Sequence, residues 1–222
     1  MKAAVLFSGG KDSCLALCKA IKQGYEVEYL LSVIPKSKDS MMWHKPNLKL
    51  LKEQARQLGI KLIIQKSTGK EEEKLGDLIS LISKIKGKAD ALVIGGIASN
   101  YQAQRIKKAA QEFEMKIYSP LWKYSSEQLW NELLRERFKV ILTKIACEGI
   151  PKEFLGKVID EEKFEKLKHL AGRYKFDLSG EGGDFESAVL YCPLFKKEIK
   201  VRGKIISESD YRHFFVFTLK AG

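Results

Sequence analysis

The chain has 222 residues, 45% of them hydrophobic and 31% charged, and its 40 Lys plus Arg outnumber 28 Asp plus Glu to give a formal charge of +12. Such a composition excludes fibrous, collagenous and disordered classes and supplies apolar mass for one large or two small cores. The charge favours anionic partners, whether nucleotides, nucleic acid or an acidic protein surface, although a Lys/Glu-rich surface that only keeps the protein soluble gives the same number.

Short apolar runs alternate with longer stretches of helical period, the pattern of a mostly parallel sheet clad in helices. Ala3 to Phe7 predicts a first strand and Asp12 to Gln23 a helix stopped by Gly24. Val27 to Ile34 predicts the second strand, Pro46 to Leu58 a helix closed by Gly59, Lys61 to Gln65 a third strand and Lys70 to Ile85 another helix. A fourth strand over Ala91 to Ile94 precedes an amphipathic helix over Asn100 to Glu114 and a short strand at Lys116 to Tyr118. A helix over Ser125 to Arg137, capped by its serine, and a strand over Val140 to Ile145 close this series. The expected fold is therefore α/β, a Rossmann-like doubly wound sheet over residues 1–146. Beyond Gly149 the rhythm changes to a charged helix, Glu161 to Tyr174, a glycine-rich stretch and β-like runs at Ser187 to Tyr191, Glu198 to Ile206 and His213 to Leu219. Residues 147–222 are read as a smaller α+β C-terminal domain.

Cys14, Cys18, Cys147 and Cys192 form no C-x-x-C pair and have no His at finger spacing, which argues against a structural zinc or iron–sulfur site and fits a reduced, cytoplasmic setting. The opening apolar run is cut short at Ser8 to Asp12, so no signal peptide is expected, and without an 18-residue apolar run no membrane span is expected.

Chemistry concentrates first at Ser8-Gly9-Gly10-Lys11-Asp12-Ser13, between the first strand and its helix. Two glycines permit φ > 0 and close backbone approach, so successive N–H groups can face one anion, while the helix N-terminus, Lys11 and the hydroxyls of Ser8 and Ser13 add to the attraction. A triphosphate suits this turn, yet the spacing matches neither G-x-x-x-x-G-K-[ST] nor G-x-G-x-x-G. Asp12 is anomalous among phosphates: it caps the helix or faces a Mg²⁺. Ser32 in the second strand and Gly95 after the fourth complete the nucleotide-binding candidates.

Three further stretches draw attention. Met41 to Asn47, with His44 and Asn47, follows the second strand at the sheet edge where doubly wound folds bind ligands; a lone His beside Trp43 and Pro46 also reads as a loop filler. Gly95 to Arg105 follows the fourth strand, and Tyr101 and Arg105 stand one helical turn apart with Gln102 between them. Arg105 can clamp a phosphate or carboxylate in a bidentate way, or simply lie over a tyrosine ring. Gly180-Glu181-Gly182-Gly183-Asp184-Phe185-Glu186-Ser187 crowds three carboxylates into one turn, which need a cation, a metal or a cationic substrate unless the loop is merely solvated.

Taken together, these stretches resemble the diphthine–ammonia ligases, or diphthamide synthases, of the PP-loop ATP pyrophosphatases. The resemblance rests on S-G-G-K-D-S at Ser8 to Ser13, M-W-H-x-P-N at Met42 to Asn47, Y-Q-x-x-R at Tyr101 to Arg105, Pro120-Leu121-Trp122, Glu148-Gly149-Ile150, Glu181 to Ser187 and Pro193-Leu194-Phe195. Asp184 stands where that pattern usually has Glu, Ser187 where it has Thr, and Lys123 where a Gly often follows. The resemblance implies ATP and Mg²⁺ as cofactors, with the loop on the β- and γ-phosphates and the α-phosphorus open to attack. It implies amidation by ammonium of diphthine on translation elongation factor 2, through an acyl-adenylate, with AMP and pyrophosphate released. Lys11, Asp12, Arg105 and Glu186 are then the catalytic candidates, with Asp12 as metal ligand. Tyr101, Gln102, His44, Asn47, Glu181, Gly182, Gly183, Asp184, Glu186 and Ser187 would bind substrate, the acidic turn meeting the trimethylammonium and imidazole of diphthine. Free ammonia is the expected nitrogen source. Two rival readings remain open: a PP-loop tRNA-modifying enzyme, against which the absence of a catalytic Cys pair or an evident RNA-binding domain speaks, and a non-catalytic ATP-binding module. A membrane partner is not expected, nucleic acid is disfavoured, and a homo-oligomer is left open.

Overall fold

The computed structural model describes residues 1–35, 47–67, 74–96 and 100–220, the side chains of 35, 74 and 100–103 excepted. These residues form two compact units, Met1–Trp122 and Lys123–Gly222.

In the first unit β1 (Lys2–Leu6), α1 (Lys11–Lys22), β2 (Glu26–Pro35), α2 (Leu48–Leu58), β3 (Lys61–Ser67), α3 (Lys74–Ser83), β4 (Ala91–Val93), α4 (Asn100–Gln111) and β5 (Lys116–Tyr118) alternate along the chain. The strands make one parallel five-stranded sheet in the order β3-β2-β1-β4-β5. Ala4 on β1, Leu31 on β2 and Leu92 on β4 join Leu81, Ile82 and Ile85 after and within α3, and Ala109 and Ala110 on α4, in one buried cluster. Ala3 and Val5 lie on the opposite face by the two-residue period, and both are fully buried too. Burial on both faces is what a parallel sheet requires, and the doubly wound expectation holds. Strand order reverses between β1 and β4, so the crevice beyond their carboxyl ends is the switch point of the sheet.

The second unit contains α5 (Ser126–Arg135), β6 (Lys139–Ala146), α6 (Glu161–Tyr174), β7 (Phe185–Tyr191), β8 (Val201–Ser209) and β9 (Arg212–Leu219). Its four strands pair antiparallel in the order β7-β6-β9-β8. This corrects the boundary expected at residue 146: α5 and β6 do not extend the parallel series but begin the second unit. The physical reason is that Val140 to Leu142 is an apolar run buried on a central strand, and such a run reads the same whether its neighbours are parallel or antiparallel.

Ser125 does cap α5, in a full capping box with Gln128. The helix buries Trp130 completely, and its indole N–H donates to the Leu178 carbonyl at 2.8 Å while its ring stacks on Phe164 of α6 at 5.7 Å. One side chain therefore ties α5, α6 and the start of the glycine-rich turn together. Trp130→Ala is expected to lower stability by about 3–5 kcal/mol. Trp130→Phe, which keeps the ring but orphans the Leu178 carbonyl, should cost about 1–3 kcal/mol. Equilibrium denaturation in urea checks both: a Trp130→Phe chain as stable as wild type would contradict the hydrogen bond's part, and equal losses in the two variants would contradict the ring's.

Candidate active site

The ladder between β1 and β2 continues one residue past the strand, with the Phe7 N–H donating to the Leu31 carbonyl at 2.8 Å. Ser32, 3% exposed, donates its hydroxyl to the Phe7 carbonyl. The chain is thus clamped up to the residue before the turn, and Ser32 acts on the turn from behind. Gly9 then takes φ +77°, whereas Gly10 is extended at φ −83°, ψ 172° and serves as the N-cap of α1 without a side-chain cap. Of the two glycines that permit φ > 0, only Gly9 uses it. The first N–H groups of a helix lack intrahelical acceptors, and here no side chain at the cap competes for them. The Ser8 and Ser13 hydroxyls face each other at 3.2 Å across the turn, and the Gly10 N–H lies 3.4 Å from the Ser8 hydroxyl.

Lys11 is 2% exposed, and its ammonium meets Asp12 at 2.8 and 3.1 Å. A buried ammonium is tolerable only with such a partner. Of the two roles left open for Asp12, capping is therefore the one the geometry rejects: the cap position is Gly10, and the carboxylate pairs with Lys11. Its side chain keeps 30% exposure. Among the described residues no three His, Cys, Asp or Glu side chains converge on a metal position. Mg²⁺ commonly rests on one or two carboxylates with phosphate oxygens and water, and a single half-open carboxylate beside an anion-accepting turn fits that donor set.

Gly95 closes the other side of the crevice. A Cβ there would come within 2.6 Å of the Asp12 carbonyl carbon and the Ser13 nitrogen, so only glycine lets the exit of β4 abut the first turn of α1. Arg105 is half-buried on α4. The backbones of Tyr101 and Gln102 are helical on α4, as expected, while their side chains and His44 lie outside the described residues. Asn47, expected to bind substrate, uses its side-chain oxygen to cap α2, accepting from the Lys49 and Leu50 N–H groups at 3.1 and 3.2 Å. In this unit the structure brings together Ser8, Gly9, Gly10, Lys11, Asp12, Ser13, Ser32 and Gly95. Sequence reasoning missed Gln54 of α2, whose amide nitrogen donates to the Gly9 carbonyl at 3.0 Å. The only signal was a polar residue within the apolar stripe of Leu50, Leu51 and Ala55.

In the second unit the acidic turn is compensated from within. Asp184 accepts from the Asp177 N–H at 2.8 Å, and Asp177 in turn accepts from the Ser179 N–H and hydroxyl at 2.8 and 2.7 Å. Glu186 pairs with Lys144 of β6 at 3.0 Å while keeping 45% side-chain exposure. Part of the compensation these carboxylates were expected to need thus comes from a backbone N–H for Asp184 and a lysine for Glu186; Glu181, Gly182 and Gly183 are exposed, and Ser187 is half-buried on β7. Lys144, missed in the sequence, is legible only through the register of β6 with β7. Burial, reinforced by the charge of Asp184, pushes the Cys147 thiol from an ordinary 9.0 up to about 11. Cys14, Cys18, Cys147 and Cys192 form no disulfide among the described residues. Among the described residues no helix is long and apolar enough to cross a membrane.

Residues 1–117 match the diphthamide synthase N-terminal domain and residues 125–219 the diphthamide synthase C-terminal domain. The chain belongs to the diphthamide synthase family. The diphthine–ammonia ligase of Homo sapiens is 30% identical over 223 residues, covering 90% of this chain and 83% of its own length. That of Schizosaccharomyces pombe is 31% identical over 239 residues, and the match takes in 100% of this chain but 39% of the yeast protein. Among solved structures, the predicted subunit of tRNA methyltransferase from Methanocaldococcus jannaschii overlaps 90% of this chain at 22% identity and a TM-score of 0.46. The boundary between the two family domains falls at the division between the two units, not at residue 146.

The raised Cys147 value has a sign that can be checked. The folded chain keeps this proton where the unfolded chain loses it, so the contribution to stability is whole below about pH 9 and is lost as pH rises to about 11. Iodoacetamide labelling of Cys147 in the native protein should be slow at neutral pH and climb toward pH 11; labelling at neutral pH as fast as that of a free thiol would contradict this.

Proposed function

We propose that this chain is a diphthine–ammonia ligase: it amidates the carboxylate of diphthine on translation elongation factor 2 with ammonium, using ATP and releasing AMP and pyrophosphate. The observation that carries the proposal is an anion-accepting turn at the switch point of a parallel sheet, in a chain whose two units both match the diphthamide synthase domains. A cytoplasmic setting accords with cysteines that form no disulfide.

A carboxylate at neutral pH repels nucleophiles, so its oxygen must first be joined to the α-phosphorus. The P–O bond to pyrophosphate breaks as the new bond forms, and ammonia then adds to the acyl carbon, sheds a proton and expels AMP. The work of the protein is electrostatic, because an anion has to approach a polyanion. In our reading Gly9, Gly10 and the hydroxyls of Ser8 and Ser13 receive the β- and γ-phosphates, with Ser32 and Gly95 holding the turn in place. Lys11 takes up charge that grows on the leaving pyrophosphate, and a preorganised donor of this kind is typically worth about 3 kcal/mol. Its burial fixes the ammonium in direction, and Asp12 holds it there until phosphate oxygens arrive. Asp12 would also hold Mg²⁺, which supplies further neutralisation of phosphate charge. Arg105, Tyr101 and Gln102 are assigned to clamp a carboxylate or the α-phosphate. His44 and Asn47 are assigned to the substrate side. Glu181, Gly182, Gly183, Asp184, Glu186 and Ser187 form the surface offered to diphthine, with Glu186 the carboxylate nearest to hand for a cationic group because 45% of its side chain faces solvent.

Supplying ATP, Mg²⁺, ammonium and diphthine-bearing elongation factor 2 should yield AMP and pyrophosphate together with loss of one negative charge from the factor. Release of ADP in their place would overturn the proposal. Lys11→Ala is expected to lower turnover about 100-fold. Steady-state kinetics of Glu186→Gln should show KM for the factor raised by roughly tenfold with KM for ATP little changed; identical constants for variant and wild type would remove Glu186 from substrate binding.

A further inference from the structure

The buried face of α2 carries Leu50, Leu51 and Ala55 together with two amides, Gln54 and Gln57, of which Gln54 reaches the phosphate turn. Gln54 is fully buried, beside Leu50, Leu51 and Ala55. An amide is costly in such surroundings unless its hydrogen bonds are made. Its nitrogen donates to the Gly9 carbonyl at 3.0 Å, a bond between residues 45 apart in the chain. The approach is close: a Cβ on Gly9 would lie 2.3 Å from the Gln54 side-chain oxygen and 2.9 Å from Leu51 Cδ2.

This bond has a consequence for the anion. A trans peptide is planar, with its carbonyl and N–H pointing opposite ways. Holding the Gly9 carbonyl toward α2 therefore aims the Gly10 N–H away from α2, and that N–H lies on the side of the Ser8 hydroxyl, at 3.4 Å. Glycines on both sides of the peptide permit it to flip at little steric cost. The flipped peptide would present a carbonyl oxygen to the phosphates, which is repulsive where the N–H is attractive.

We propose that Gln54 is a positioning residue for the nucleotide: it locks the Gly9–Gly10 peptide in the orientation that accepts phosphate. The proposal rests on the reading of this turn as the ATP site. Because Gln54 acts only through the turn, its effect falls on ATP and on the departure of pyrophosphate, and not on the affinity for the elongation factor.

The test measures the dissociation constant for ATP by calorimetry, KM for the factor and thermal melting in the full chain and in Gln54→Leu and Gln54→Glu. Removing the donor in Gln54→Leu should weaken ATP binding by roughly tenfold or more, with KM for the factor within about twofold of wild type. In Gln54→Glu the protonated carboxyl can donate to the Gly9 carbonyl, while the ionised one repels it. Its ATP affinity should therefore approach that of wild type near pH 5.5 and fall away from it toward about pH 8.5, a divergence that no loss of packing produces. The inference is overturned by a folded Gln54→Leu chain with native ATP affinity, by equal losses toward ATP and factor, or by a Gln54→Glu profile that runs parallel to wild type. Should Gln54→Leu fail to fold, the pH profile of Gln54→Glu decides. A wild-type chain that binds no ATP overturns the reading of the turn and this role with it, whereas wild-type binding left intact in Gln54→Leu removes only the role of Gln54.

Discussion

Bare backbone can hold a polyanion only where the backbone is itself held. A turn of two glycines offers N–H groups at little steric cost, but the freedom that lets it form also lets it collapse or flip. In this chain the turn after β1 is gripped on three sides. Ser32 of β2 holds the carbonyl of Phe7 just before it, Gln54 of α2 holds the carbonyl of Gly9 within it, and Gly95 at the end of β4 brings the strand exit against the first turn of α1 behind it. The remaining features of the first unit follow from this constraint. The parallel sheet has the order that sets β1 and β4 side by side, and the strand order reverses beside this turn.

The same logic of preorganisation governs charge. Lys11 is buried, so its ammonium is held in one direction with Asp12 as its counter-charge. In the proposed reaction phosphate oxygens would replace that partner with little rearrangement, and low reorganisation is what makes such donors effective. In the second unit the carboxylates of the glycine-rich turn are arranged differently. Asp184 is bound into the turn by the Asp177 N–H, and Trp130 secures the preceding Leu178. Glu186 combines a lysine partner with an open face, which leaves it available to a cationic substrate without leaving it uncompensated.

Much of this was legible in the chain. Alternating apolar and helical periods announced the doubly wound sheet, and S-G-G-K-D-S announced a glycine turn between strand and helix. Both depend on residues within a few positions of each other, so local pattern carries them. Where reading failed, the cause was common to each case. The strand at Lys139–Ala146 carries an apolar run suited to the centre of any sheet, and nothing in its own residues says that β7 and β9 will flank it antiparallel. The M-W-H-x-P-N motif put Asn47 on the substrate side but did not announce that its place before an apolar stripe also makes it the cap of α2. Asp12 and Glu186 were read as charges in need of compensation, and part of it comes from Lys11 and Lys144, of which Lys144 is brought by strand register.

The sequence by itself determined which backbone segments could bind phosphate and which acids would crowd together, since glycine spacing, helix starts and residue type are properties of neighbours along the chain. Tertiary structure decided what each of those groups faces. Gln54 reaches Gly9 across 45 residues and Lys144 reaches Glu186 across 42, and such pairings exist only because helix packing and strand register bring distant segments within hydrogen-bond range.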